Sequence, residues 1–141
     1  MQPYSPILAP VVALVAWSMV MWTWMYITRI PAIRNARMRL DSNAPRGEQM
    51  ATLPASVRWK ADNYNHLMEQ PTIFYAVALA LALMGQGGGV NLCLAWAYVG
   101  LRVVHSLVQS INNKIIVRFG VFSLSSLALI GLTVNAVRIV F

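Results

Sequence analysis

The sequence of 141 residues is poor in charge, and it contains only four acidic residues and a single cysteine, Cys93. Only 11% of its residues are charged, whereas an ordinary soluble domain carries about 25%. A soluble fold of this length needs more polar side chains than that to cover its surface. One cysteine cannot form an intramolecular disulfide, and it excludes a cysteine-based metal site. With 58% apolar residues, these shortages predict a single-domain integral membrane protein.

Four apolar runs are long enough to cross a bilayer, whose core of about 30 Å requires about 20 helical residues. Backbone groups in lipid must bond within their own segment, so we expect four helices. Alternating segments of a β-barrel are not indicated, because both faces of the runs are apolar. The predicted fold is therefore an all-α integral membrane four-helix bundle forming one domain over residues 1–141. The expected spans cover approximately residues 7–30, 65–84, 90–111 and 119–141.

The basic residues of the connections predict the topology. Seven Lys/Arg and three acids lie between Arg29 and Asp62, the turn Gly85–Gly89 has no charge, and the last connection carries Lys114 and Arg118. Positive loops stay in the cytoplasm, so we expect both termini on the outer side. The basic loop is then a topology signal and a contact for anionic headgroups. No motif favours nucleic-acid binding, and the positive charge follows the first run, unlike in a cleaved signal peptide.

Two stripes of polar side chains lie within the predicted spans, where burying a polar group costs free energy. An ionisable group inside a span costs about 2.5 kcal/mol or more, and such groups usually face the bundle interior and mark function. Residues three or four apart share one helix face. The stripes are Asp62, Asn65 and Glu69 on the second span, and Arg102, His105 and Gln109 on the third.

The two stripes are expected to meet at one depth. Fifteen residues separate Glu69 from Met84, and fifteen separate Val90 from His105, roughly 22 Å of helix in each case. We therefore predict that Glu69 pairs with Arg102 or His105. A structural polar cluster that holds two helices in register, at about 0.6 kcal/mol per hydrogen bond, remains the alternative.

Two further residues of the second span bear on this region. Pro71 is expected to kink the helix just after Glu69, because it lacks an N–H group. His66 lies beside the polar stripe, and its residue type alone favours an interface or headgroup-facing histidine over a ligand. No compact spacing of His and acids predicts a metal site.

Two stretches can be compared with known families: NHLMEQPTIFY at 65–75, and YVGLRVVHSLVQ at 98–109 followed by Asn112, Asn113, Arg118 and Phe119. Together they resemble the MAPEG family, the membrane-associated proteins in eicosanoid and glutathione metabolism, and within it a bacterial branch. The resemblance covers essentially the whole chain. It implies a homotrimer of four-helix bundles in the bacterial inner membrane, with glutathione bound, in catalytic relatives, between subunits on the cytoplasmic side.

The resemblance also implies residue roles. Arg118 matches the arginine that contacts the glutathione sulfur in catalytic relatives, and we expect it to be catalytic. The expected ligand-binding residues are Arg29, Asn65, Glu69, Arg102, His105 and Gln109. Departures from the pattern occur where catalytic relatives carry arginines and tyrosines: here stand Asp62 and Asn65, and Gln109 and Phe122.

Two functional hypotheses follow, and the sequence leaves open whether the protein is an enzyme. In the first, it is a glutathione-dependent transferase or peroxidase. Arg118 stabilises the thiolate, which attacks a lipophilic molecule arriving from the bilayer at the inner leaflet. In the second, it is a non-catalytic lipid-binding protein or an accessory subunit of a membrane complex. The departures favour the second, because arginines usually hold carboxylates such as those of glutathione. A transporter is least favoured, since no pair of broken helices is indicated.

Overall fold

The computed structural model describes residues 4–141, and this part of the chain is helical without any strand. Four helical segments are long and apolar enough to cross a membrane, and the second is built from two helices. The predicted all-α architecture with four spans is therefore confirmed. The second span begins at Ala55 rather than near Asn65. The helices are α1 (Leu8–Asn35), α2 (Glu48–Ala51), α3 (Ala55–Leu67), α4 (Gln70–Leu83), α5 (Gly89–Ile111) and α6 (Ile115–Val140).

Helix α5 is the centre of the bundle and packs against α1, α3 and α6. Apart from Asn91, its buried face is apolar in the first half, with Ala95, Tyr98 and Val99, and becomes polar from Arg102 onwards. In a bilayer, association of helices depends on close van der Waals packing and on hydrogen bonds between helices. The apolar part of the core is completed by residues of the other long helices: Leu14, Met21, Leu67, Phe74, Ala78, Leu81, Leu129 and Leu132.

The second span is broken at Met68 and Glu69, between α3 and α4. The N–H groups of these two residues donate to the carbonyls of Asn65 and His66, at 2.9 and 3.4 Å, three residues back instead of four. Pro71 lies in the first turn of α4, where its missing N–H costs no helical hydrogen bond. The second span is thus interrupted beside Glu69 as expected, but the break precedes Pro71 and does not come from a hydrogen bond lost at the proline. The consequence of the break is that the side chains before and after it no longer follow one helical stripe.

A three-residue turn joins α5 to α6 and makes them antiparallel neighbours. Asn113 in this turn has a φ of 50°, in the left-handed region that asparagine tolerates better than most residues. Its N–H donates to the Val108 carbonyl at 2.7 Å. The turn therefore fixes the direction in which the Asn113 side chain leaves the backbone, at the start of α6.

The turn between α4 and α5 contains one position, Gly87, at which no larger side chain fits. A Cβ atom on Gly87 would collide with the Ser5 hydroxyl and lie 2.7 Å from Ile7 Cγ2. Nothing lies within 4 Å of a Cβ atom on the neighbouring Gly88. The segment before α1 therefore packs directly onto the backbone of this turn.

Candidate functional site

A cleft of about 430 Å³ lies between α3, α5 and α6; we call it the Arg118 cleft. The imidazole rings of His66 and His105 lie side by side, with centroids 4.9 Å apart. The Phe122 ring lies 5.4 Å from His66 and 6.3 Å from His105. One wall of the cleft is thus aromatic, and one cation faces it. The lining residues are His66, His105, Ile115, Arg118, Phe119 and Phe122.

Arg118 is held in this cleft by the preceding turn. Its Nη1 donates to Asn113 Oδ1, while its buried Nε has no hydrogen-bond partner within the described residues. Among residues 4–141 the one ion pair joins His66 and Glu69. The charge of Arg118 is therefore not neutralised by a carboxylate of the described chain. A guanidinium with free donors in a half-apolar cleft is suited to bind an anion.

Glu69 does not form the predicted pair with Arg102 or His105, and that prediction is wrong. Its Oε2 instead accepts a hydrogen bond from His66 Nδ1 at 3.0 Å, and its side chain is 68% exposed. The break at Met68 and Glu69 is the physical reason, because it turns residue 69 away from the bundle interior.

Gln70 contacts Arg102 instead, a partner that the sequence analysis missed. The fully buried Arg102 donates from Nη2 to Gln70 Oε1 and from Nε to the Tyr98 hydroxyl, the latter at 3.1 Å. Its guanidinium carbon lies 5.3 Å from the Tyr98 ring centroid and 5.1 Å from that of Phe122. The only available signal was position, since Gln70 directly follows Glu69. Charge pairing does not indicate Gln70, because an amide is neutral.

Gln109 lies inside the bundle and lines neither the Arg118 cleft nor the pocket described next. It is 4% exposed, and its Oε1 is buried without a partner in the described chain, like both amide atoms of Asn63 and the Ser106 hydroxyl. At the same level Lys60 donates from Nζ to the Ser56 and Ser110 carbonyls, at 2.8 and 3.4 Å. These side chains form a polar layer between α3 and α5.

A second cavity, of about 380 Å³, lies between the end of α1, the connection that contains α2, and α3; we call it the basic pocket. Arg29, Arg46 and Arg58 line it from three separate segments, with Asp62 as the one carboxylate. No ion pair neutralises these arginines within residues 4–141. Asn65 completes the polar lining. The pocket therefore carries a net positive charge.

The predicted site residues thus separate into different places in the described chain. The cleft brings together Arg118 and His105, and the basic pocket brings together Arg29 and Asn65. The rest lie outside both cavities. The sequence indicates Arg46 and Arg58 only as topology signals, since their approach to Arg29 depends on how the connection folds back. The predicted residues outside both cavities are Glu69, which is exposed, and Arg102 and Gln109, which are buried.

Comparison with known proteins gives one match. A family model described as the MAPEG family matches residues 7–138. No curated protein matches the chain, and no solved structure matches it. The matched residues run from the start of the first span into the last turns of α6 and include all residues of the Arg118 cleft and the basic pocket.

Proposed function

The chain belongs to the MAPEG family, and from this membership we propose that it is a glutathione-dependent transferase or peroxidase. Its four spans and its family make it a multi-pass membrane protein. The observation that carries the proposal is Arg118, a cation without a carboxylate partner in the described chain, in a cleft with two imidazoles and an apolar wall. Its substrates would be glutathione and a lipophilic electrophile or peroxide from the inner leaflet.

The cleft suits thiol chemistry for electrostatic reasons. The thiol of glutathione is a weak nucleophile until it ionises, and a nearby guanidinium stabilises the thiolate. Arginine has five N–H donors, and Arg118 uses one of them on Asn113. In a transfer reaction the thiolate sulfur bonds to the electrophilic carbon, and the leaving group departs with the electron pair. The exposed Ile115 and Phe119 offer apolar contact for the second substrate.

The basic pocket suits the remainder of glutathione. The tripeptide carries two carboxylates, and arginine binds a carboxylate with two parallel hydrogen bonds. Arg29, Arg46 and Arg58 supply three such groups. The two cavities share no lining residue within one chain. We propose that the protein is a homotrimer in a bacterial inner membrane, with both termini on the outer side. In such a trimer the basic pocket of one copy would adjoin the Arg118 cleft of the next.

A second candidate function is a non-catalytic lipid-binding protein or an accessory subunit of a membrane complex. Two observations favour it. Arg102 is fully buried and donates to Gln70 and Tyr98, and it is therefore not accessible to a ligand. Asp62 lies among the arginines of the basic pocket and opposes the binding of a carboxylate. In this case the two cavities would bind lipid without chemistry.

Calorimetry and turnover in detergent distinguish the two functions. We expect glutathione binding and conjugation to an aryl chloride in the wild type. Arg118→Ala should lower turnover about 100-fold, as for the loss of one charge-stabilising donor. Arg138→Ala, at the other end of α6, is the matched control and should retain activity. Millimolar or weaker binding that Arg118→Ala does not alter would support the lipid-binding or accessory function.

A further inference from the structure

His66 and Glu69 form a carboxylate–imidazole pair at the edge of the Arg118 cleft. We propose that His66 is the general base that removes the proton of the thiol, and that Glu69 is a positioning residue for its ring. This proposal rests on the proposed thiol chemistry of the cleft. It assigns a role to a histidine that the sequence favoured as a simple interface residue.

The hydrogen bond between the two residues determines which nitrogen is free. Glu69 Oε2 lies 3.0 Å from His66 Nδ1, and an ionised carboxylate only accepts hydrogen bonds. Nδ1 therefore carries the proton, which leaves Nε2 with its lone pair. Nε2 makes no hydrogen bond to any part of the described chain. An imidazole oriented in this way by a carboxylate is the arrangement that general bases use in hydrolases.

The helix break fixes Glu69 in this position. Its carbonyl accepts hydrogen bonds from Thr72 Oγ1 at 2.6 Å and from Thr72 N–H at 3.2 Å. These contacts hold the backbone of residue 69 outside the continuous helix. Its side chain can then reach back to His66, three residues earlier. The break that removes Glu69 from Arg102 thus gives His66 its carboxylate.

His66, and not its neighbour His105, has the properties of the base. The His66 side chain is 25% exposed and lines the cleft, so a thiol bound in the cleft can reach it. His105 is only 3% exposed and has no carboxylate partner in the described residues. Among residues 4–141, Glu69 is the one carboxylate that forms an ion pair with a residue of this cleft, and that residue is His66.

Each helix that packs near His66 contributes charged or titratable groups to its surroundings. Helix α5 contributes His105, whose ring centroid lies 4.9 Å from that of His66, and Arg102, whose guanidinium carbon lies 5.1 Å from the Phe122 ring centroid. Helix α6 contributes Arg118 to the same cleft. On α3 itself Asp62 stands one turn earlier and lines the basic pocket instead. Glu69 therefore supplies the negative charge that offsets these cations when His66 becomes protonated.

The proton transfer balances without any further reactant. The S–H bond of the thiol breaks, the proton goes to His66 Nε2, and the electron pair stays on sulfur beside Arg118. Glu69 remains ionised and stabilises the imidazolium. After the sulfur has bonded to the electrophile, His66 releases the proton to the leaving group or to water.

The test is the pH dependence of transfer and of thiolate formation in the full-length protein. His66→Gln should lower kcat/KM about 100-fold near neutral pH, within the range of general-base contributions. The loss should shrink as the pH rises and the thiol ionises unaided. Glu69→Gln should give a smaller loss and displace the acidic limb of the pH–rate profile. Glu48→Gln, an exposed acid in α2, is the matched control and should leave the profile unchanged.

The ultraviolet absorbance of bound thiolate supplies a readout besides turnover. With glutathione alone, His66→Gln should require higher pH for the same thiolate signal. Wild-type rates and an unchanged profile in both His66→Gln and Glu69→Gln would overturn the proposal while leaving the thiol chemistry of Arg118 intact. A wild type without transfer activity, or an Arg118→Ala variant with full activity, would overturn the proposed function and this inference with it.

Discussion

Gln70 Oε1 accepts a hydrogen bond from Arg102 Nη2, at the place where the sequence predicted a carboxylate from Glu69. A buried guanidinium thus donates to two neutral groups, an amide and the Tyr98 hydroxyl, while its Nη1 has no partner in the described chain. The carboxylate is released to contact His66 at the cleft. This exchange of neighbours, produced by one helix break, places the only ion pair of residues 4–141 beside Arg118.

Gln70→Ala should destabilise the bundle. Removal of the amide leaves the Arg102 guanidinium with only Tyr98 as a hydrogen-bond acceptor, and a hydrogen bond to a charged group contributes about 1.5–3 kcal/mol. We expect the free energy of unfolding in detergent to fall by that amount. Gln86→Ala, which truncates an exposed side chain, is the control. Equal unfolding free energies for the two variants would contradict the role given to Gln70.

Asn113→Gly and Asn113→Ala should differ in stability but share a loss of activity. Glycine adopts the left-handed φ of this turn freely, whereas alanine is strained there. Both variants remove the contact to Arg118. We expect both to lower transfer, and only Asn113→Ala to lower the melting temperature as well. Full transfer activity in a folded Asn113→Gly protein would show that Arg118 needs no support from Asn113.

Gly87→Ala and Gly88→Ala form a matched pair for the turn between α4 and α5. The added methyl group at position 87 meets Ser5 and Ile7, whereas the same group at position 88 meets nothing. Overpacking of this kind costs about 1–3 kcal/mol. We expect thermal denaturation in detergent to show a lower melting temperature for Gly87→Ala only. A similar effect of both substitutions would argue against close packing of the N-terminal segment on this turn.

Arg58→Ala should weaken the binding of glutathione more than it slows the chemical step. It removes one guanidinium from the basic pocket, and a hydrogen bond to a charged group is worth about 1.5–3 kcal/mol. We expect a Kd roughly 10- to 100-fold higher, with kcat largely retained. Arg39→Ala, an exposed arginine of the same connection that does not line the pocket, is the control. Identical Kd values for the two variants would show that the basic pocket does not bind glutathione.

The fold was predictable because it depends on two quantities that the sequence displays directly: the length of apolar runs, and the need of backbone groups in lipid to bond within a helix. The start of the second span at Ala55 is hidden in the sequence, because Arg58, Lys60 and Asp62 interrupt the apolar pattern. Lys60 is nevertheless buried, since its ammonium group contacts two carbonyls and lies 5.0 Å from the Trp24 ring centroid. These contacts offset the cost of burying the Lys60 charge. They come in part from neighbouring helices, so the sequence pattern of a single helix does not reveal them.

The site was only partly predictable, because the depth of a side chain along the helix axis and its direction around that axis depend on different quantities. Rise per residue accumulates along a span, so counting places Glu69 near the level of Arg102 and His105. Direction around the axis depends on every φ and ψ in between, and the break at Met68 and Glu69 changes it. Local spacing could not predict Arg46 in the basic pocket, since that contact requires the connection to fold back onto α1 and α3.

The Gln70 amide uses both of its ends, because its Nε2 donates to Ser126 on α6 at 2.9 Å while its Oε1 accepts from Arg102 on α5. The amide therefore has one orientation. Through it the start of α4 is hydrogen-bonded both to α5 and to α6, the two helices that line the Arg118 cleft opposite His66. Rotation of α4 about its axis would break both attachments together. Although α4 lines no part of the cleft, this joint ties the helix that follows Glu69 to both α5 and α6, which carry His105 and Arg118.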